Sequence, residues 1–348
     1  MSHKRKTATI YTILHFLVDF TTIYLLSGVL LGPKCTIVNY GNLIIVYNLL
    51  AFAFQLPMGM IADIVCKNRA FVAAGCALAV LSYPLSIISP WTACAFAAIG
   101  NGAFHIGAGA DILEMSMPQA GLSGLFVSSG ALGVFLAYKA HSTLFSVLCP
   151  LVMLVFLVFI LVSPCIYQTK KKTEKIRYRN PGGLIICAVF FFMLTVVIRS
   201  FLGMIMNFPW KAEPVLSVLF ILAVAFGKAL GGFIGDRFGY IKTAATSLSL
   251  SFILFLFAFK TPAAGIIAVL FFNMTMPLTL TAIAGVCNYK YGFAFGMTTF
   301  ALAVGFIPVV FNAGNLFSPT TLLTMVFLSL VFLLLGYVLL NIRNKKEK

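Results

Sequence analysis

The chain has 348 residues, of which 61% are hydrophobic and only 9% charged, with a formal net charge of +16. A soluble domain of this length cannot hide so much apolar surface, so the composition excludes a soluble protein and predicts a polytopic membrane protein.

A spanning helix needs roughly 20 mostly apolar residues. Stretches of that kind follow in chain order near 8–31, 38–62, 70–89, 91–113, 120–138, 142–167, 182–207, 214–234, 240–259, 262–286, 292–314 and 319–342. They are rich in Leu, Phe and Ala and too long for barrel strands, which run about 10 residues in strict alternation. The first is read as a span and not as a signal peptide. It is too long for a signal core, no A-x-A-like site follows it, and it carries Asp19 at mid-depth. The expected fold class is therefore an all-α membrane protein of twelve transmembrane helices.

The positive charge does not read as a nucleic-acid surface. With the amino terminus inside, Lys4, Arg5, Lys6, Lys67, Arg69, Arg237, Lys242, Lys290, Arg343 and the run "KKKTEKIRYR" at 170–179 all fall on the cytoplasmic side, and Lys34, Lys139, Lys211 and Lys260 outside. This positive-inside pattern predicts an inner-membrane protein with both termini in the cytoplasm, its basic groups against anionic lipid headgroups. A monomer is expected, with no nucleic-acid partner and no cofactor. The eight cysteines include no C-x-x-C pair and mostly lie in spans, so neither a disulfide framework nor a metal site is indicated.

The only long polar connector, "QTKKKTEKIRYRNPGG" at 168–183, divides six spans from six. The expected organisation is a bundle at 1–168, a basic cytoplasmic linker at 169–181, and a second bundle at 182–348. A short pattern recurs after the second span of each half: "GMIADIVCKNR" (59–69) and "GGFIGDRFGYIK" (231–242). Asp63 and Asp236 stand in equivalent places, which marks an internal repeat of the kind common in transporters. Gly59 and Gly232 permit close helix approach. Each aspartate sits at a helix end, where it can bridge to basic groups such as Lys67, Arg69 and Arg237 or to a neighbouring helix N-terminus. With Gly239, these residues are the candidate conformational latch, against the plainer reading of a topological turn.

These glycine–aspartate–basic loops and the charged central linker resemble the major facilitator superfamily over essentially the whole chain. The second copy, with Gly232, Asp236, Arg237 and Gly239, follows the family pattern. The first departs from it at Ile64 and Cys66. Within the superfamily the first half is similar to fosmidomycin-resistance-like exporters, through "LHFLVDF" (14–20), "YNLLAFAFQLPMGMIAD" (47–63), "GNGAFHIG" (100–107) and "GLFVSSGALGVFLA" (124–137). Ile106 and Gly107 stand where that group has proline and glutamate. The resemblance implies two pseudo-symmetric six-helix bundles, with spans one, four, seven and ten lining a central cavity.

An ionisable group at mid-membrane costs about 2.5–3.5 kcal/mol on insertion scales unless it is paired or hydrated. His15 and Asp19 are four residues apart and share a helix face. Asn101 and His105 share a face of the fourth span at similar depth. Their expected role is substrate binding or proton coupling, set against structural hydrogen bonding. Asp111 does not share the face of His105 and reads as a membrane-edge group. Arg199, in the seventh span, keeps its charge and favours a carboxylate or phosphonate, unless it snorkels or pairs with Glu213. Asn273, followed by Pro277, marks a kink in the tenth span and completes the candidate substrate residues.

No phosphate-cradling loop, nucleophile elbow or zinc spacing occurs, so catalysis is not expected. The sequence predicts a secondary transporter that moves a small molecule, anionic or amphiphilic, by alternating access, with proton-coupled efflux as the first expectation. Nutrient uptake by symport or facilitated diffusion is the alternative within the fold. A non-transporting sensor or assembly subunit is the alternative from another class.

Overall fold

The computed structural model describes residues 3–31, 37–140, 142–164, 166–167, 182–311 and 317–346. The predicted linker at 169–181 lies outside these. In chain order the helical rods are α1 His3–Val29, α2 Tyr40–Val65, α3 Asn68–Ile88, α4 Pro90–Ser116, α5 Gly121–Lys139, α6 Phe145–Val162, α7 Gly183–Ile205, α8 Pro214–Phe238, α9 Tyr240–Phe255, α10 Pro262–Val286, α11 Tyr291–Val310 and α12 Pro319–Lys346. Ten of these are long and apolar enough to cross a membrane. The other two are α4, whose hydropathy is diluted by Asn101, His105, Asp111 and its glycines, and α9, which is short. The chain is a multi-pass membrane protein, with twelve such rods among the described residues.

Local sequence sets the helix ends. Pro214, Pro262 and Pro319 open α8, α10 and α12, where the missing N–H costs nothing. Inside α10 the helix breaks at Met274, whose N–H bonds Phe271. Pro277 lacks the N–H that would have bonded the Asn273 carbonyl, which accounts for a break there. A π-type turn at Leu49–Ala53 interrupts α2.

The two repeat copies end differently. Gly239, at φ +91°, terminates α8 in a conformation that glycine adopts freely. Cys66 holds the equivalent place after α2 at φ 52°, ψ 41°, its Sγ donating to the Asp63 carbonyl at 3.2 Å. A side-chain-bearing residue in the left-handed region costs about 1–2 kcal/mol. Cys66→Gly is therefore expected to raise the unfolding free energy by about 1 kcal/mol, measured as an upward shift in thermal unfolding in detergent. An unchanged or lowered midpoint would show that the thiol offsets the strain.

Two compact units emerge. The first comprises Met1–Met115, Leu125–Thr169 and Lys290–Phe300; the second comprises Ser116–Gly124, Lys170–Tyr289 and Ala301–Lys348. Each thus incorporates a short piece of the opposite half of the chain. In the first unit, α4 is the interior helix, buried continuously from Gly100 to Leu113. Its α6 instead turns Val155, Leu161 and Val162 outward, as a lipid-facing helix does. In the second unit the interior stretch is Thr275–Ala284 of α10. The helices with the most polar residues are thus the ones shielded from lipid.

Candidate functional site

In the first unit, α1 and α4 bring His15, Asp19, Asn101 and His105 into one buried cluster. The two Nε2 atoms of His15 and His105 are 2.8 Å apart. Asp19 Oδ2 lies 3.2 Å from His15 Nε2, and Asp19 Oδ1 lies 3.7 Å from His105 Nε2. The amide of Asn101 donates to Asp19 Oδ1 at 2.7 Å and reaches Thr22 at 3.3 Å. His15 Nδ1 faces the Phe126 carbonyl at 2.6 Å, and His105 Nδ1 faces the Asn101 carbonyl at 2.8 Å. Carbonyl oxygens only accept, so both Nδ1 atoms carry the hydrogen. Both Nε2 atoms therefore turn lone pairs into the same space, beside a carboxylate. Such a set needs a cation: a proton carried by one ring, or a metal ion between the donors. Among the described residues, His15, Asp19 and His105 form the group of donors able to hold a metal. His105 is 90 residues from His15, a distance across which sequence spacing does not reveal that the two meet.

Gly130 of α5 backs the cluster. A Cβ there would stand 2.3 Å from Asp19 Oδ2 and 2.4 Å from His15 Nε2. Only a bare α-carbon lets these groups approach the helix.

In the second unit, Arg199 of α7 is 6% exposed. Its Nη1 donates to the hydroxyls of Thr275 and Thr279 at 3.3 and 3.4 Å, and its Nη2 to Thr279 at 3.3 Å. Both threonines in turn donate to carbonyls of their own helix. These are long bonds from a buried full charge. Among the described residues no carboxylate lies within ion-pair distance of it, so neither snorkelling nor pairing with Glu213 describes it. Asn273, a candidate substrate residue, bonds back to the Val269 carbonyl in its own helix at 2.9 Å.

The repeat aspartates make matching contacts. Asp63 accepts from the backbone N–H groups of Gly292 and Phe293 at 2.9 and 2.8 Å, at the start of α11. Asp236 accepts from Ala120 and Gly121 at 2.7 and 2.9 Å, at the start of α5, and from the Tyr240 hydroxyl. Carboxylate–amide bonds of this length at a helix N-terminus are charge-assisted and reinforced by the helix dipole. Gly59 and Gly232 admit these segments, since a Cβ would meet the Gly292 carbonyl at 2.1 Å and the Ala120 carbonyl at 2.4 Å.

The basic residues of the pattern go elsewhere. Arg69 donates to the carbonyls of Ile160 and Leu161, and Arg237 lies over the Phe238 ring at 5.4 Å. Lys67 is exposed. Asp111 is fully buried and receives bonds from Asn68, at the start of α3, at 2.8 Å and from the Tyr11 hydroxyl at 3.2 Å.

The sequence reading passed over Thr275 and Thr279, although their spacing of four puts both hydroxyls on one helix face. It also quoted Gly130 only as part of a glycine-rich span. No signal in the sequence pointed to Gly292 and Phe293.

No family model and no curated protein matches this chain. Solved structures do. A major facilitator superfamily transporter, FucP, in the outward conformation aligns with TM-score 0.73 at 12% identity, covering 95% of this chain and 98% of its own. The Escherichia coli fucose:proton symporter aligns at 0.66 and 14%, covering 95% and 98%. The human organic anion transporter MFSD10 aligns at 0.70 and 14%, covering 96% and 99%. At such identities these likenesses speak to architecture, and the chain has the major facilitator fold.

Proposed function

We propose that this chain is a secondary transporter, a carrier and not an enzyme, that moves a small organic anion across the inner membrane by alternating access. The observation that carries this reading is Arg199: a guanidinium buried in the second unit whose hydrogen-bond partners among the described residues are two threonine hydroxyls. A planar five-donor cation held in low dielectric without an anion is suited to binding one, and carboxylates and phosphonates match its geometry. The fold supports a carrier, and one structural neighbour is named as an organic anion transporter. The His15–Asp19–His105 cluster is the element able to hold a cation in the membrane interior. Coupling to a cation, a proton in the expectation from sequence, is assigned to it. The likeness of the first half to fosmidomycin-resistance-like exporters supports export as the direction. The Asp63 and Asp236 contacts serve as latches, holding the starts of α11 and α5 in one state of the cycle and releasing them in another.

The reading is tested by thermal unfolding of purified protein against matched pairs of compounds, each a carboxylate or phosphonate with its neutral amide or ester. A ligand at 100 times its Kd stabilises the folded state by about 2.7 kcal/mol. Anions are expected to raise the midpoint and their neutral partners to leave it unchanged. Equal shifts within every pair would remove the anion reading.

A further inference from the structure

We propose that His15, Asp19 and His105 form a binding site for one divalent first-row transition-metal ion. The inference rests on the assignment of this cluster as the cation-binding element, and it names the cation's chemical class. The nearest donor pairs already have the spacing of a coordination shell. Ligands about 2.1 Å from a common ion stand about 3.0 Å apart at right angles and about 3.4 Å apart at tetrahedral angles. His15 Nε2 stands 2.8 Å from His105 Nε2 and 3.2 Å from Asp19 Oδ2, close to those values; the 3.7 Å from His105 Nε2 is to the other carboxylate oxygen, Oδ1, and with one donor atom from each residue all three lie within 4.8 Å of one another.

The surroundings are those of ligands held in place. Each histidine gives its Nδ1–H to a backbone carbonyl, Phe126 for His15 and Asn101 for His105, which fixes the ring and leaves Nε2 as the donor. Asn101 holds one carboxylate oxygen of Asp19. These partners come from α4 and α5 and orient donors on α1 and α4, so the set is shared between helices instead of lying along one.

A separate observation points to a ligand. Asn101 is 2% exposed, yet among the described residues its Oδ1 has no hydrogen-bond partner. A buried acceptor without a donor is costly, and a water bound to a metal beside Asp19 would supply one. Two imidazoles with a single carboxylate favour zinc, iron or nickel over magnesium or calcium, which prefer all-oxygen shells. Three protein donors leave coordination positions open, the arrangement of sites that exchange water or substrate and unlike closed structural sites with four protein ligands.

The test uses the purified full-length chain, stripped with chelator and titrated with Zn²⁺ against a competing chelator, alongside Asp19→Asn and His105→Gln. One tightly held Zn²⁺ per wild-type chain is expected, with affinity at least 100-fold weaker in each variant. X-ray absorption of the wild-type complex is expected to show two imidazole nitrogens around zinc, and this readout decides the matter if a variant does not fold. Stoichiometric binding that survives both substitutions, absence of imidazole around zinc, or no tight binding by the wild type would each overturn the proposal. Anion-dependent stabilisation measured on the same preparations separates the two readings: if it persists where tight zinc binding is absent, only the metal site falls.

Discussion

Arg199→Gln is expected to lower transport of the anion at limiting concentration by roughly 10- to 100-fold, with Arg199→Lys in between. Hydrogen bonds to a charged group contribute about 1.5–3 kcal/mol each, and every 1.4 kcal/mol is a factor of ten. Lysine keeps the charge but loses the planar fork that meets two oxygens at once. The same substitution carries an opposite signature in the ligand-free protein. A buried guanidinium whose partners among the described residues are two neutral hydroxyls is held at a cost in desolvation, and removing its charge relieves that cost. Thermal unfolding of ligand-free Arg199→Gln is thus expected at or above the wild-type midpoint, while flux collapses. A structural arginine would behave otherwise, with stability and flux falling together.

Gly130→Ala is the second substitution with a large expected effect. The added methyl would stand 2.3 Å from a carboxylate oxygen and 2.4 Å from an imidazole nitrogen, well inside contact distance. Asp19 and His15 must move away from α5, and the bond from His15 Nδ1 to the Phe126 carbonyl is lost with them. Overpacking of this kind costs about 1–3 kcal/mol. Gly203→Ala in α7 is the control, because a Cβ there meets nothing within 4 Å. In an exposed helix position it is expected to be neutral or mildly stabilising. The comparison is read as paired unfolding midpoints and paired flux in vesicles. Gly130→Ala should lose both stability and cation-dependent transport, and Gly203→Ala neither. Equal behaviour of the two would mean that the cluster does not depend on its seat against α5.

The architecture was legible in the sequence because the hydrophobic spans are long. The helices fall within a few residues of the predicted stretches, α9 being shorter than its expected 240–259. The repeat located Asp63 and Asp236, and its chemistry offered basic groups or a helix N-terminus as partners. The structure takes the second, for a reason spacing cannot supply: Gly292 lies 229 residues from Asp63, and only the fold brings the start of α11 to it.

The same limit governs the candidate site. His15 and Asp19 announce a shared helix face by their spacing, and His105 follows as another charge that lipid would not tolerate. Their convergence at 2.8 Å between imidazoles is a property of α1 packing on α4. Threonines 275 and 279 were overlooked because hydroxyls in a membrane helix usually bond their own backbone, and these do so while also accepting from Arg199. Polar residues that carry two bonds of different kinds leave no distinct trace in a sequence.

The central claim is that Arg199 binds an anion which the protein carries across the membrane. It is tested most directly by counterflow in vesicles containing the purified protein, preloaded with the anion that stabilises it best and challenged with the labelled compound outside. Saturable, transient accumulation of label is expected in wild-type vesicles, with an initial rate about tenfold or more lower in Arg199→Gln vesicles of matched protein content. Wild-type vesicles no different from empty ones, or accumulation undiminished by the substitution, would contradict the account.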